Sequence, residues 1–131
     1  MSEDLKRRVK EALGRTEIMA LSTIGADGPW VSPVQFQYDE YLQLHFLSYR
    51  SAKHVQNILR DPRVAIAIYS HPGPPGGNIG LQLSGVAELL NEGSASDGWL
   101  SFRVTPREIW CFDSRVFGRD RRRLELSQLP L

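Results

Sequence analysis

The chain predicts a mainly β domain, an antiparallel barrel with two inserted helices, and three features of its sequence carry that expectation. Short runs rich in β-branched and aromatic residues recur at regular spacing, turn chemistry separates them, and helical periodicity is confined to two segments. Six or seven strands are expected, with no internal repeat or coiled-coil seam. The 131 residues suit one domain over 1–131, large enough to bury a core and small enough for a dimer to extend it considerably.

The first helical pattern covers Glu3 to Leu13, where Leu5, Val9, Ala12 and Leu13 form one apolar stripe and Gly14 is placed to end it. Ile18 to Ile24 reads as a strand, Gly25 to Pro29 as its turn, and Trp30 to Tyr38 as the returning strand of a hairpin. Pro33 cannot donate to a ladder, so that second run belongs at an edge, a bulge or a wide spot. After an Asp39-Glu40 turn comes a third strand, Tyr41 to Tyr49, feeding into a short helix from Ser51 to Arg60 that Asp61-Pro62 stops. Ala52, Val55, Ile58 and Leu59 are its expected inner face.

Val64 to Tyr69 is apolar on both faces and is expected to be central. Ile79 to Leu90 is a long strand interrupted by Gly85, and Glu108 to Phe112 and Arg123 to Leu126 are closing strands. His71 to Asn78, dense in Pro and Gly, and Asn91 to Gly98 read as loops.

The charge balance, 16 basic against 15 acidic residues and a net +1, gives no global attraction to nucleic acid or an anionic membrane. Arg119, Arg121, Arg122 and Arg123 crowd the C-terminal end, but Asp120 interrupts them and no aromatic ladder accompanies them. They read as a solvated strand end or a dimer-rim cluster. The single cysteine, Cys111, excludes an intramolecular disulfide and suits a reducing compartment, and no 18-residue apolar run or secretion signal occurs. A cytoplasmic, soluble protein is expected, with neither nucleic acid nor membrane as partner.

The densest chemistry lies at Arg50-Ser51-Ala52-Lys53, where a strand enters a helix. The first turn of a helix has N–H groups without intrahelical acceptors and carries partial positive charge. Ser51 can cap there, and with Lys53 and Arg50 it could hold a phosphate dianion; the same residues also suit an N-cap beside solvated surface charges. His45, His54 and His71 lack metal-ligand spacing, so no metal site is expected. Cys111 sits between Trp110 and Phe112, as a small buried thiol does. Gln35 and Gln82 lie on apolar strands, and a glutamine facing inward there needs a partner, which the edge of a heterocycle would provide.

Asp27 to Val34, Leu44 to Ser48 followed by Ser51-Ala52-Lys53, Asn57 to Val64, and Leu81 to Ala87 together resemble the pyridoxamine 5'-phosphate oxidase-like FMN-binding split-barrel family, over roughly residues 15 to 126. The resemblance implies a six-stranded antiparallel split barrel with an N-terminal helix and a short helix after the third strand. It also implies a homodimer with FMN in grooves at the subunit interface. Ser51 and Lys53 match the family's Ser-Arg-Lys phosphate element, with Ala52 replacing its arginine and Arg50 beside it as a substitute. Val34 and Gln35 match the segment along the isoalloxazine, and Phe46, Leu47 and Ser48 the strand leading to the phosphate. Gln82 matches a polar residue reaching the flavin from the partner subunit, and Trp110 an aromatic bordering it.

Ser32-Pro33-Val34 replaces the arginine-led segment of the authentic oxidases, and Arg121 to Leu126 does not match their arginine-histidine substrate motif. The implied function is therefore FMN-dependent oxidoreduction with a small-molecule substrate or electron donor that the resemblance leaves unidentified, these departures speaking against pyridoxamine phosphate. No catalytic acid–base residue is nominated, because the flavin itself carries the redox chemistry. The alternatives are a non-catalytic flavin-binding or carrier protein and a deazaflavin- or haem-binding relative.

Overall fold

The computed structural model describes residues 2–71, 77–91 and 98–131. Among these the chain forms α1 (Ser2–Gly14), β1 (Ile18–Gly25), β2 (Gly28–Gln35), β3 (Gln37–Tyr38), β4 (Leu44–Tyr49), α2 (Lys53–Arg60), β5 (Arg63–Ser70), β6 (Ile79–Asn91), β7 (Trp99–Asp113), α3 (Ser114–Phe117) and β8 (Arg121–Leu124). A 3₁₀ turn over Leu126–Gln128 follows. All strand pairings are antiparallel, in the order β2-β1-β5-β6-β7-β4-β3, with β8 added to β7. The fold is the expected mainly β split barrel, curled around one core and open between β2 and β4.

Alternation sets the core. Met19 and Leu21 of β1, Val64, Ile66 and Ile68 of β5, and Leu100, Phe102 and Val104 of β7 point inward, joined by Val9, Ala12 and Leu13 of α1. Every second residue of a strand shares a face, so these apolar sets meet inside the curl. Phe46 and Phe102 stack there with centroids 5.1 Å apart. Helix α1 is tied across the barrel end by Arg115, which bonds Glu11 at 3.2 Å and the buried Asp113 at 3.1 Å. Hydrogen bonds from Arg15 and then Arg115 hold the Glu11 carboxyl below its ordinary pKa.

Several elements differ from the sequence reading. The returning strand of the hairpin breaks at Phe36, giving β2 and a two-residue β3, and β2 is the sheet edge that Pro33 requires. The third strand begins at Leu44 rather than Tyr41, because Leu42 turns with φ 57° and Asp39 Oδ1 caps the turn by accepting from the N–H groups of Tyr41 and Gln43. On α2 the buried side chains are Val55, Asn57 and Ile58, while Leu59 is exposed. Asn57 is admitted to the interior because its Nδ2 donates to the buried Thr23 hydroxyl at 3.0 Å, joining α2 to β1.

The largest departure is β7, which runs for 15 residues where only Glu108 to Phe112 was expected. Leu100, Phe102 and Val104 alternate with Ser101, Arg103 and Thr105 as a half-buried strand does, but Pro106 masks the continuation. Its place is at an irregularity: the β6–β7 register shifts between Ser84 and Gly85, and Gly85 faces Pro106. A Cβ on Gly85 would lie 2.5 Å from the Thr105 carbonyl oxygen, so the interruption seen in the sequence is a close backbone approach. The last strand is Arg121–Leu124, displaced from the expected Arg123 to Leu126, and α3 adds a helix that was not foreseen. Most of the two expected loops, His71 to Asn78 and Asn91 to Gly98, lies outside the described residues.

Candidate functional site

Two surfaces gather the residues that sequence reasoning singled out. The first is the split itself. A cleft of about 440 Å³ lies between the end of β2 and β4, lined by Glu17, Gln35, Gln37, His45, Leu47 and Ser101 among others. Gln35 and Leu47 are exposed there, Leu47 by 64%. Val34 and Phe46 turn their side chains into the core; Phe46 still contributes to the cleft lining, and Val34 does not. Ser48 is buried as well, its hydroxyl 2.7 Å from His54 Nε2. Burial lowers the His54 pKa and favours its neutral ring.

Beyond Leu47, β4 continues to the turn that opens α2. At about 3.3 Å per residue the strand reaches Arg50 roughly 10 Å past the cleft. The turn is fixed by main-chain bonds: Arg50 N donates to Gly98 O at 2.8 Å and Ala52 N to Tyr49 O at 3.0 Å. Gln56 closes it from the helix by donating to Arg50 O at 2.7 Å.

The expected Ser51 cap does not form. Helix α2 begins at Lys53, its N-cap position is Ala52 with extended backbone, and no side chain caps it. Ser51 sits one residue too early and is exposed. The first-turn N–H groups thus lack the side-chain acceptor that Ser, Thr or Asp would supply.

Lys53 does not extend freely into solvent. Its ammonium lies 4.2 Å from the ring centroid of Trp30. Trp30 pairs with Thr23 at the start of β2, and Gln35 ends the same strand. The edge strand therefore runs along the split from the cleft, at Gln35, back to the cationic turn, at Lys53. Arg50, Ser51 and Lys53 lie outside the cleft lining, and the Lys53–Trp30 contact relates their turn to the strand that Gln35 ends.

The second surface is the outer face of the sheet. Register places Gln82 opposite Ala67 on one side and Trp110 on the other, with Ala67 opposite Ala20. Ala20, Ser22, Ala65, Ala67, Ser84 and Trp110 line a shallow depression of about 360 Å³ there. The central expectation for the strand at Val64 to Tyr69 holds in sheet order, since β5 lies between β1 and β6. Its second face is small rather than covered: Ala65 is exposed and Ala67 partly so. Ile18, Val31 and Tyr69, all exposed, flank this face. Gln82 and Trp110 are thus not brought to the cleft within one chain, and Gln35 stands three strands away from Gln82.

Three nearby features were not nominated from the sequence. Trp30 carries Lys53; His45 lines the cleft with Nε2 3.3 Å from Asp39 Oδ2; and His54 holds Ser48. The spacing i, i+6 that relates both histidines to their partners is a turn-dependent distance that no strand or helix period predicts. Cys111 is fully buried, and burial followed by the neighbouring Asp113 charge pushes its thiol up to about 12, in keeping with a packing role.

A curled antiparallel sheet, open between its edge strand and β4 and bridged there by a short helix, defines a split-barrel protein. Residues 5–124 match the family model described as pyridoxamine 5'-phosphate oxidase, and the chain belongs to that family. Solved structures share the fold at low identity. A heme binding protein from Mycobacterium smegmatis aligns at 17% identity and TM-score 0.72, covering 98% of this chain and 59% of that one. A FAD-binding protein from Mesorhizobium loti aligns at 17% identity and TM-score 0.66, covering 79% and 90%. An F420 reductase aligns at 20% identity and TM-score 0.63, covering 77% and 94%. At such identities the likeness is one of fold. No curated protein sequence matches the chain.

Proposed function

We propose that this chain is an FMN-dependent oxidoreductase that works as a homodimer on a small-molecule substrate or electron donor. The observation that carries the reading is that one edge strand, β2, ends at the cleft with Gln35 and carries at its other end the Trp30 that holds Lys53 of the Arg50-Ser51-Ala52-Lys53 turn. The donor set fits FMN: two cations and a hydroxyl for a phosphate dianion, and an amide with an exposed aliphatic side chain for the ring. Val34 precedes Gln35 on β2, Phe46 lines the cleft, and Ser48 and Ala52 lie along the chain between the cleft and Lys53. Bound there, the isoalloxazine supplies hydride or electron transfer. The chain binds and orients it and limits water access.

The dimer supplies what one protomer lacks. Gln82 and Trp110 lie on the outer sheet face, whose small central residues and exposed Ile18, Val31 and Tyr69 suit a flat isologous contact. A two-fold axis through that face would carry one protomer's Gln82 and Trp110 toward its partner's cleft. The test is titration of the protein with FMN alongside sedimentation. Micromolar binding by a dimer, with turnover above free FMN from a nicotinamide donor, is expected. Binding without turnover would make it a flavin carrier, and a monomer without affinity for FMN would refute the reading.

One observation favours a second reading, haem binding. His45 borders the cleft with one ring nitrogen near Asp39, and a carboxylate behind a histidine is the usual support for a metal-ligating ring. A Soret band on haem addition that His45→Ala abolishes would select it over FMN.

A further inference from the structure

The polar side chains around Gln82 are committed to partners in a way that leaves one function displayed. Trp110 Nε1 donates to Glu108 Oε1 at 2.9 Å. Arg123 stands between Glu108 and Glu125, at 3.8 and 3.5 Å. Gln82 Oε1 accepts from Arg121 Nε at 2.6 Å. Of the two ends of a glutamine amide, only the carbonyl oxygen can accept from a guanidinium N–H. That bond therefore decides which way round the amide is held, and the Nε2 group with its two donors is the end left for another partner.

Arg121 is itself fixed. Its guanidinium lies 5.2 Å over the Phe112 ring, and its Nη1 donates to Arg119 O at 3.5 Å. Phe112 tilts against Tyr69 with centroids 6.1 Å apart. β8 sets Arg121 opposite Phe112, one strand beyond the Trp110 that neighbours Gln82. On the other side of Gln82 is only the small Ala67.

We propose that Arg121 is a positioning residue that sets the polarity of Gln82. It occupies the amide's acceptor so that the group shown on the outer sheet face is a hydrogen-bond donor, and the ligand edge recognised there is an acceptor, a ring carbonyl oxygen or an imine-type nitrogen. The ligand part of this inference rests on the proposed FMN function. A donor aimed at a ring carbonyl oxygen or at N1, which remain acceptors and gain electron density on reduction, favours the reduced ring, so this polarity raises the reduction potential of bound FMN. An amide turned the other way would meet N3–H, a donor in both redox states, and lack that stabilisation of the reduced ring.

Both side chains are exposed, so Arg121→Ala, Arg121→Lys, Gln82→Ala and Gln82→Glu are expected to fold. Three readouts decide the matter: the Gln82 side-chain amide resonances of the ligand-free protein, FMN affinity, and the midpoint potential of bound FMN. Arg121→Ala should move the amide resonances, weaken FMN about tenfold and lower the potential, while Arg121→Lys recovers part of each. Gln82→Glu keeps an acceptor for Arg121 and loses the donor, so it should weaken FMN by at least as much. In a Gln82→Ala background Arg121→Ala should add nothing. Equal losses in both backgrounds, an affinity loss with the potential unmoved, or unchanged amide resonances would overturn the assignment. If the parent protein binds no FMN, the flavin reading and the ligand part of the inference fall together, and the resonances alone decide the orientation of Gln82.

Discussion

The Lys53 ammonium sits 4.2 Å from the centroid of the Trp30 ring, bridging the first turn of α2 and the edge strand β2. An ammonium over an indole face is held by the ring quadrupole without being neutralised, so its charge stays available to an anion. The contact also marks the end of the split opposite the cleft.

Lys53→Ala should cost about 2 kcal/mol of FMN affinity, the scale of a charge-assisted hydrogen bond. Trp30→Ala should cost about 0.5–1 kcal/mol, because it removes the support and leaves the charge. Fluorescence titration of the two variants tests the order. Equal affinities for Lys53→Ala and the parent would remove the anchor.

Ala65 lies exposed on the outer sheet face, on the opposite side of β5 from Val64 and Ile66. Ala65→Arg should leave the monomer's fold intact and abolish the dimer, since a charge without a partner is costly to bury in an interface. Sedimentation should report a monomer with unchanged circular dichroism. FMN binding should fall with it, which ties the ligand to the assembly.

Gly85→Ala should destabilise the chain by about 3 kcal/mol. Its Cβ would stand 2.5 Å from Thr105 O and 3.0 Å from Val104 Cγ1, and a paired backbone cannot retreat as a flexible side chain can. Urea unfolding measures the loss, and a change within 0.5 kcal/mol, the range ordinary surface substitutions show, would mean that β7 adjusts.

His54 should make stability depend on pH. Burial lowers its folded pKa from the ordinary 6.5, so the unfolded chain takes up the proton first as pH falls. Stability is then full above about pH 6.5 and declines below it until pH passes the lowered folded pKa. Carboxyls such as Glu11, ordinarily titrating at 4.5 and lowered here, act further down. Urea midpoints from pH 7.5 to 5.5 should decline more steeply in the parent than in His54→Gln, and parallel curves would count against a buried neutral ring.

Fold class, family and most of the strands were legible in the order of residues, because alternation, turn residues and helix periodicity are local quantities that a single chain displays. The sequence also drew attention to Gly85, although not to why a glycine is needed there, and it picked out Arg50-Ser51-Ala52-Lys53 from local charge. Which site residues share a surface emerged only with the packing of the strands. Alternation along β2 and β4 sends Val34 and Phe46 into the core and leaves Gln35 and Leu47 outside, but only the curl of the sheet sets the end of β2 beside β4 so that Gln35 and Leu47 share one cleft. The cap shifted from Ser51 to Ala52 because main-chain bonds to Gly98 and Tyr49 fix the preceding turn. The pairings Lys53 with Trp30, His54 with Ser48 and Arg121 with Gln82 arise across turns and strands, where separation in sequence carries no information about distance.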